Sequence, residues 1–182
     1  TGKTGKGQRV AILDVGFAGY PDLVASGEVP KPPNWPDQGG SSHGSACAEI
    51  AAEVAPSAGI VPVAIPSVAH LEAWIRDELP ASGVTVISHS LGWPASSFGD
   101  GTGPACNAVT EARLAGVSFV TAAGNANVGT IWHGLAKDAD GDKYLEFFNK
   151  NSYNSMKVET QGTLVAFLDW DDYPASDTDL AL

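Results

Sequence analysis

The chain is short of positive charge: 10 Lys and Arg stand against 21 Asp and Glu in 182 residues, a formal net charge of −11. A surface of that sign repels phosphate backbones and anionic headgroups, which argues against nucleic-acid and membrane-surface partners. No apolar run reaches the length that crosses a bilayer. The opening TGKTGKGQRV carries neither a signal-peptide nor a transit-peptide pattern; if the protein is exported, this is expected to be the exported form. Only Cys47 and Cys106 are present, too few for a disulfide framework and at a spacing that fits no zinc motif, so free buried thiols are expected. Charged residues are also scarce, at 17%.

What is abundant is small and apolar. Hydrophobic residues make up 43% of the chain, with 21 Gly and 12 Pro. That composition supports one sizeable core, with room for a second small module, and favours tight turns over long exposed helices. From residue 8 onward, short apolar runs alternate with helical patterns. RVAIL (9–13), GIVPVAI (59–65), VTVISHS (84–90) and VSFVTAAG (117–124) read as strands, with Pro62 arguing for an edge or a bulge in the second. Between them, SACAEIAAEV (45–54) reads as a helix offering Ala48, Ile50, Ala51 and Val54 for burial. The segment 67–83 reads as another, capped by Ser67 and with Leu71, Trp74, Ile75 and Leu79 as its apolar stripe. A third spans 104–116, with Pro104 in its first turn and Gly116 at its C-terminal cap.

Uniformly apolar strands alternating with helices predict a doubly wound α/β domain with a mostly parallel sheet. Ligands in that architecture bind beyond the carboxyl ends of the strands. Asp14, the segment Ser88 to Gly92, and Asn125 stand at those ends. The turn after the first strand, DVGFAGYPDL, lacks a Gly-x-Gly-x-x-Gly fingerprint and no P-loop occurs, which sets a plain nucleotide binder aside.

Near residue 134 the character changes: 10 Asp and Glu against 4 Lys follow, and helical periodicity ends. KYLEFF, SMKVET and TLVAFLDW alternate as strands do. The expected division is therefore an α/β region over 1–133 and an incomplete, β-rich module over 134–182.

Three polar side chains stand out: Asp14 in AILDVGF, His43 in SSHGSACAEI and Asn125 in TAAGN. An aspartate that accepts a hydrogen bond from an imidazole fixes its tautomer, and the imidazole can then act as general base towards a hydroxyl. An asparagine amide can stabilise a developing oxyanion. The order and the strand-end placement carry more weight than any of the three alone.

With those residues in view, the sequence resembles the subtilisin-like serine proteases. GKGQRVAILDVGF resembles the family's Asp strand and SSHGSACAEIAAEVAPSAGIVPVAI its His-Gly-Thr helix. VTVISHSLGW is similar to the strand that pairs with extended substrate, and GVSFVTAAGN to the strand ending in the oxyanion asparagine. The resemblance covers roughly residues 5 to 128. It implies a subtilisin-like fold, with Asp14 as orienting acid, His43 as base and Asn125 as oxyanion donor. It further implies substrate contact at Ser90, Leu91, Gly92 and Gly124, a peptide or protein substrate, no cofactor required for catalysis, and a secreted location. In the family the helices that carry Cys47 and Cys106 lie on opposite faces of the sheet, out of disulfide reach.

One family element is not in the sequence. The Gly-Thr-Ser-x-Ala-x-Pro run that carries the nucleophile does not occur, and the only serines after Asn125 are Ser152, Ser155 and Ser176. The Ser-Met pair at Ser155 lacks the flanking Gly, Ala and Pro. Two readings follow: part of a longer protease cut within an inserted β-module, with the rest of the same protease as partner, or a non-catalytic binding or scaffold protein of protease shape. The first is preferred, and it predicts that these 182 residues alone do not hydrolyse peptides.

KDADGDKYLEF (137–147) sets Asp138, Asp140 and Asp142 at alternate positions, as a structural calcium loop would. Lys143 stands where glycine is required and Asn149 where a bidentate Glu belongs, so an Asp-Gly turn is the preferred reading. Alternation turns His89 away from Ser88 and Ser90, which suits a packing residue. His70 and His133 read as surface or helix positions, and Trp93 as the tryptophan nearest to peptide contact.

Overall fold

The computed structural model describes residues 2–94, 96, 100–125, 131–135, 137–147, 151–153, 155, 161–163 and 165–168. These fall into two compact units, one of residues up to Ala123 joined by 167 and 168, the other within Gly124–Ala166.

The first unit is built on four parallel strands, β1 (Arg9–Asp14), β2 (Gly59–Ala64), β3 (Val86–His89) and β4 (Ser118–Thr121), in the order β2-β1-β3-β4. In register, Leu13 pairs with Val63 on one side and His89 on the other, and His89 pairs with Thr121. β1 is central and its last four residues are fully buried. β2 lies at the edge with Pro62 in it, as a strand with a missing N–H must. The crossovers are helical: α2 (His43–Val54) leads from β1 to β2, α3 (Val68–Ala73) and α4 (Leu79–Ser82) lead to β3, and α5 (Pro104–Leu114) leads to β4. Before them comes α1 (Tyr20–Ser26), a seven-residue helix between glycines at positive φ that the sequence reading passed over.

Side-chain alternation along β1 separates two cores. Ala11 and Leu13 face Ile87, Leu71, Trp74, Ile75, Leu79 and α5; Ile12 faces Ile60, Phe17, Tyr20 and α2. The predicted stripe of the 67–83 segment is buried throughout, and Ser67 accepts the His70 N–H as its cap. That segment is not one α-helix, however: Trp74–Glu78 widens into a π-turn between α3 and α4.

The expectation for α2 needs correction. Gly44, Ser45, Ala48 and Ala52 face inward, whereas Ile50 is 61% and Val54 76% exposed. Gly44 is pinned to the turn just past β1, since its N–H donates to Gly16 O. At 100° per residue, that contact turns positions 44, 48 and 52 to the sheet and sends 50 outward.

In the second unit the indole of Trp132 meets the Phe147 ring edge-on at 4.9 Å and donates to the Phe147 carbonyl at 3.1 Å. Lys143–Phe147, expected as a strand, is a run of bends and coil. Its first two amides are taken by side chains: Asp138 accepts from Lys143 and Asp142 from Tyr144. Such Asx turns compete with strand pairing. SMKVET lies outside the described residues apart from Ser155, whereas in TLVAFLDW, also expected as a strand, the described residues 163 and 165–168 form none.

Candidate active site

The order β2-β1-β3-β4 reverses winding direction between β1 and β3, and the crevice at the carboxyl ends of those two strands is where such folds bind ligands. Asp14 is the last residue of β1, and Ser90 follows the last residue of β3.

Asp14 is fully buried, and its carboxylate is held from two sides. Oδ1 accepts the Val15 N–H at 2.9 Å, and Oδ2 lies 2.6 Å from Nδ1 of His43. Since a carboxylate only accepts, Nδ1 carries the proton, and in the neutral imidazole Nε2 is then the acceptor. His43 is the first residue of α2, and 52% of its side chain is exposed to solvent. One half of the pair is thus dry and fixed, and the other is open.

Several bonds hold the mouth of α2 in place. The Ser41 hydroxyl accepts the His43 N–H at 3.0 Å, Ala18 N–H donates to Ser41 O at 3.1 Å, and the Ser45 hydroxyl donates to Ala18 O at 2.9 Å. Together these lash residues 16–18, just past β1, to residues 41–45.

Cys47 was not singled out as a site residue, yet it belongs to the same cluster. One helical turn beyond His43, its Sγ lies 3.9 Å from Nδ1 and 4.0 Å from Nε2. The i, i+4 spacing on a helix was the available signal. Burial pushes the Cys47 thiol up, a hydrogen bond with the Ser90 side chain opposes this, and the Asp14 carboxylate adds to it. Ser90 is thereby joined to the Asp14, His43 and Cys47 group. Both cysteines are free, as expected, though half-buried rather than buried.

Beyond β3, Ser90, Leu91 and Gly92 form no regular structure; Leu91 packs on the core and Gly92 is exposed. The ends of this segment are stapled: Trp93 Nε1–H donates to His89 Nε2 at 3.1 Å, and His89 Nδ1 meets Thr121 Oγ1 at 2.9 Å. His89 is buried in the core, and burial pulls its pKa down, with the Asp14 carboxylate opposing. Gly124 takes φ +94 and Asn125 is exposed; both follow β4 in the chain and open the second unit.

Among the described residues, two groups gather ligand atoms within 4.8 Å of one another: Asp14, His43 and Cys47, and Asp138, Asp140 and Glu146. The second is largely exposed, as acidic turns commonly are, and Asp142 is not among its members.

Comparison of the whole sequence with known proteins places the chain in a family. The profile of the subtilase family matches residues 5–161. This chain belongs to the subtilase family. Subtilisin Savinase of Lederbergia lenta is 35% identical over 144 residues, covering 71% of this chain and 52% of that protein. Alkaline elastase YaB of Bacillus sp. is 33% identical over 143 residues, covering 71% of this chain and 37% of that one. An alkaline protease of Shouchella clausii is 35% identical over 144 residues, with 71% and 37% covered. This subtilase chain therefore spans about half the length, or less, of the curated relatives it matches. No solved structure matches it significantly.

Proposed function

We propose that these residues form part of a serine endopeptidase that cleaves peptide bonds by acyl transfer, with Asp14 orienting His43 and His43 acting as base. The observation that carries this reading is the 2.6 Å contact between Asp14 Oδ2 and His43 Nδ1, which in the neutral imidazole makes Nε2 the accepting nitrogen of a half-exposed ring. Family membership and the proteases among the relatives support it.

In the proposed reaction, His43 Nε2 takes the proton of a serine hydroxyl as its oxygen attacks the scissile carbonyl. The Asn125 amide donates to the oxyanion, and the imidazolium returns the proton to the leaving amine. Water then repeats the sequence on the acyl-enzyme. Extended substrate runs along Ser90, Leu91 and Gly92, with Gly124 leaving room for backbone approach. No cofactor is required for these steps.

The nucleophile belongs to a part of the parent protein outside these 182 residues, because no Gly-Thr-Ser-x-Ala run occurs within them. Residues 134–182 belong to a module inserted between the Asn and Ser elements. The family supports an extracellular location and a peptide or protein substrate.

Labelling with a fluorophosphonate probe tests the reading. The complete parent protein is expected to be labelled, its His43→Ala variant not, and the 182-residue chain not. A folded parent that takes no label would establish the alternative, a protease-shaped binding protein.

A further inference from the structure

The alternation of β3 runs on past its last paired residue. Ile87, Leu91 and Trp93 all pack on the core shared with α3 and α5, and His89 is buried among them. Ser90 turns the other way, its side chain hydrogen-bonded to the Cys47 thiol on α2. Leu91 and Gly92 have no backbone hydrogen-bond partner among the described residues, and a Cβ on Gly92 would meet open space. The segment is thus strand-like, with backbone free to pair.

Its far end is fastened by His89. An indole N–H can only donate, so His89 Nε2 accepts the Trp93 Nε1–H at 3.1 Å. The one proton of a neutral ring then sits on Nδ1, 2.9 Å from Thr121 Oγ1 on β4. A protonated ring cannot make this fastening, because Nε2–H would face N–H.

We propose that His89 is a positioning residue whose neutral imidazole clasps Trp93 and so holds Ser90, Leu91 and Gly92 ready for an incoming peptide backbone, the hold loosening in acid. The role rests on the substrate path proposed above. A peptide that pairs along free backbone draws its affinity from main-chain hydrogen bonds, and fixing that backbone beforehand lowers the ordering cost of binding. The surroundings favour the neutral ring. Ring centroids of Phe119 and Trp93 lie 5.6 and 6.0 Å from that of His89, and α3, α4 and α5 bring the apolar Leu71, Leu79 and Ala108 to this core. From β1 the Asp14 carboxylate draws the proton, but burial outweighs it and pulls the His89 pKa down.

Two measurements test the clasp and its role. In the 182-residue chain, the Trp93 indole N–H resonance, identified by its loss in Trp93→Phe, is expected to move with the titration of His89 below about pH 6.5. In His89→Leu it should be displaced at every pH. A resonance indifferent to both overturns the clasp. In the complete parent protein, His89→Leu is expected to raise KM for an extended peptide about 3–10-fold, the worth of one hydrogen bond, with kcat little changed. His89→Gln keeps an acceptor near the place of Nε2 but takes up no proton. It should restore KM and show a smaller rise in KM on acidification than the parent. A fall in kcat with KM unchanged, or His89→Gln as poor as His89→Leu, overturns the positioning role. Circular dichroism of each variant shows whether it is folded. A parent that takes no fluorophosphonate label refutes the protease reading, and with it the change in KM, whereas the indole resonance decides the clasp either way.

Discussion

A Cβ atom placed on Gly44 would stand 2.7 Å from the Cβ of Asp14, 2.6 Å from Gly16 O and 2.8 Å from the Phe17 ring. One of these neighbours is backbone and the other two are fully buried side chains, so none can step aside. Glycine next to the histidine is thus a condition for the histidine reaching the aspartate. Gly44→Ala is expected to cost about 1–3 kcal/mol by overpacking and to separate the Asp14–His43 pair. A lower urea midpoint together with a loosened His43 ring in NMR spectra would show this; an unchanged midpoint would refute it.

The phenol of Tyr20 is fully buried, edge-on to the Phe17 and Trp35 rings, and its hydroxyl has no hydrogen-bond partner among the described residues. Removing an unsatisfied buried polar atom while keeping the ring is neutral or stabilising. Tyr20→Phe should therefore match or exceed the parent in thermal stability. Burial also pushes the phenol up to about 12. Above pH 10 or so the unfolded chain loses this proton while the folded chain holds it, so parent stability falls as pH rises. That part of the decline should be missing from the Phe variant.

His89 predicts the opposite slope. Its folded pKa is lowered, so as pH falls below about 6.5 the unfolded state takes up the proton first and stability declines with acidification. Geometry points the same way, because a proton on Nε2 would face the Trp93 indole N–H. The stability gap between parent and His89→Gln should narrow between pH 8 and pH 5, read from urea midpoints. An equal gap at both ends would exclude His89 as the source.

On the function proposed, Asn125→Ala in the complete parent protein should lower kcat by about 10²–10³ with little change in KM, the size typical of one oxyanion donor. A raised KM with kcat unchanged would assign Asn125 to ground-state binding instead.

Much of the first unit is written in local pattern. Val–Ile–Leu runs closed by glycine gave the four strands, and the heptad-like spacing of Leu71, Trp74, Ile75 and Leu79 gave a buried stripe. Asp14 and His43 were legible for the same reason: both lie at element ends, where polar residues in an apolar chain stand out. The rotation of α2 was not legible, because tertiary contact at Gly44, rather than hydrophobicity, decides that Ile50 and Val54 face outward. Cys47 was hidden by its type, since a thiol among alanines reads as core. In the acidic segment, period-two alternation suggested a strand at KYLEFF, but carboxylates of Asp138 and Asp142 claimed the amides of Lys143 and Tyr144 with which it would have begun.

Pro62 gives the sheet a direction of growth. Lacking a donor, the β2 rim makes a poor template for any extended segment that drifts against it, whether from a neighbouring molecule or from an unfolded stretch of the same one. Protection against edge-to-edge clumping is thereby concentrated at the border remote from β3 and β4, while recruitment of further backbone is left to the opposite flank.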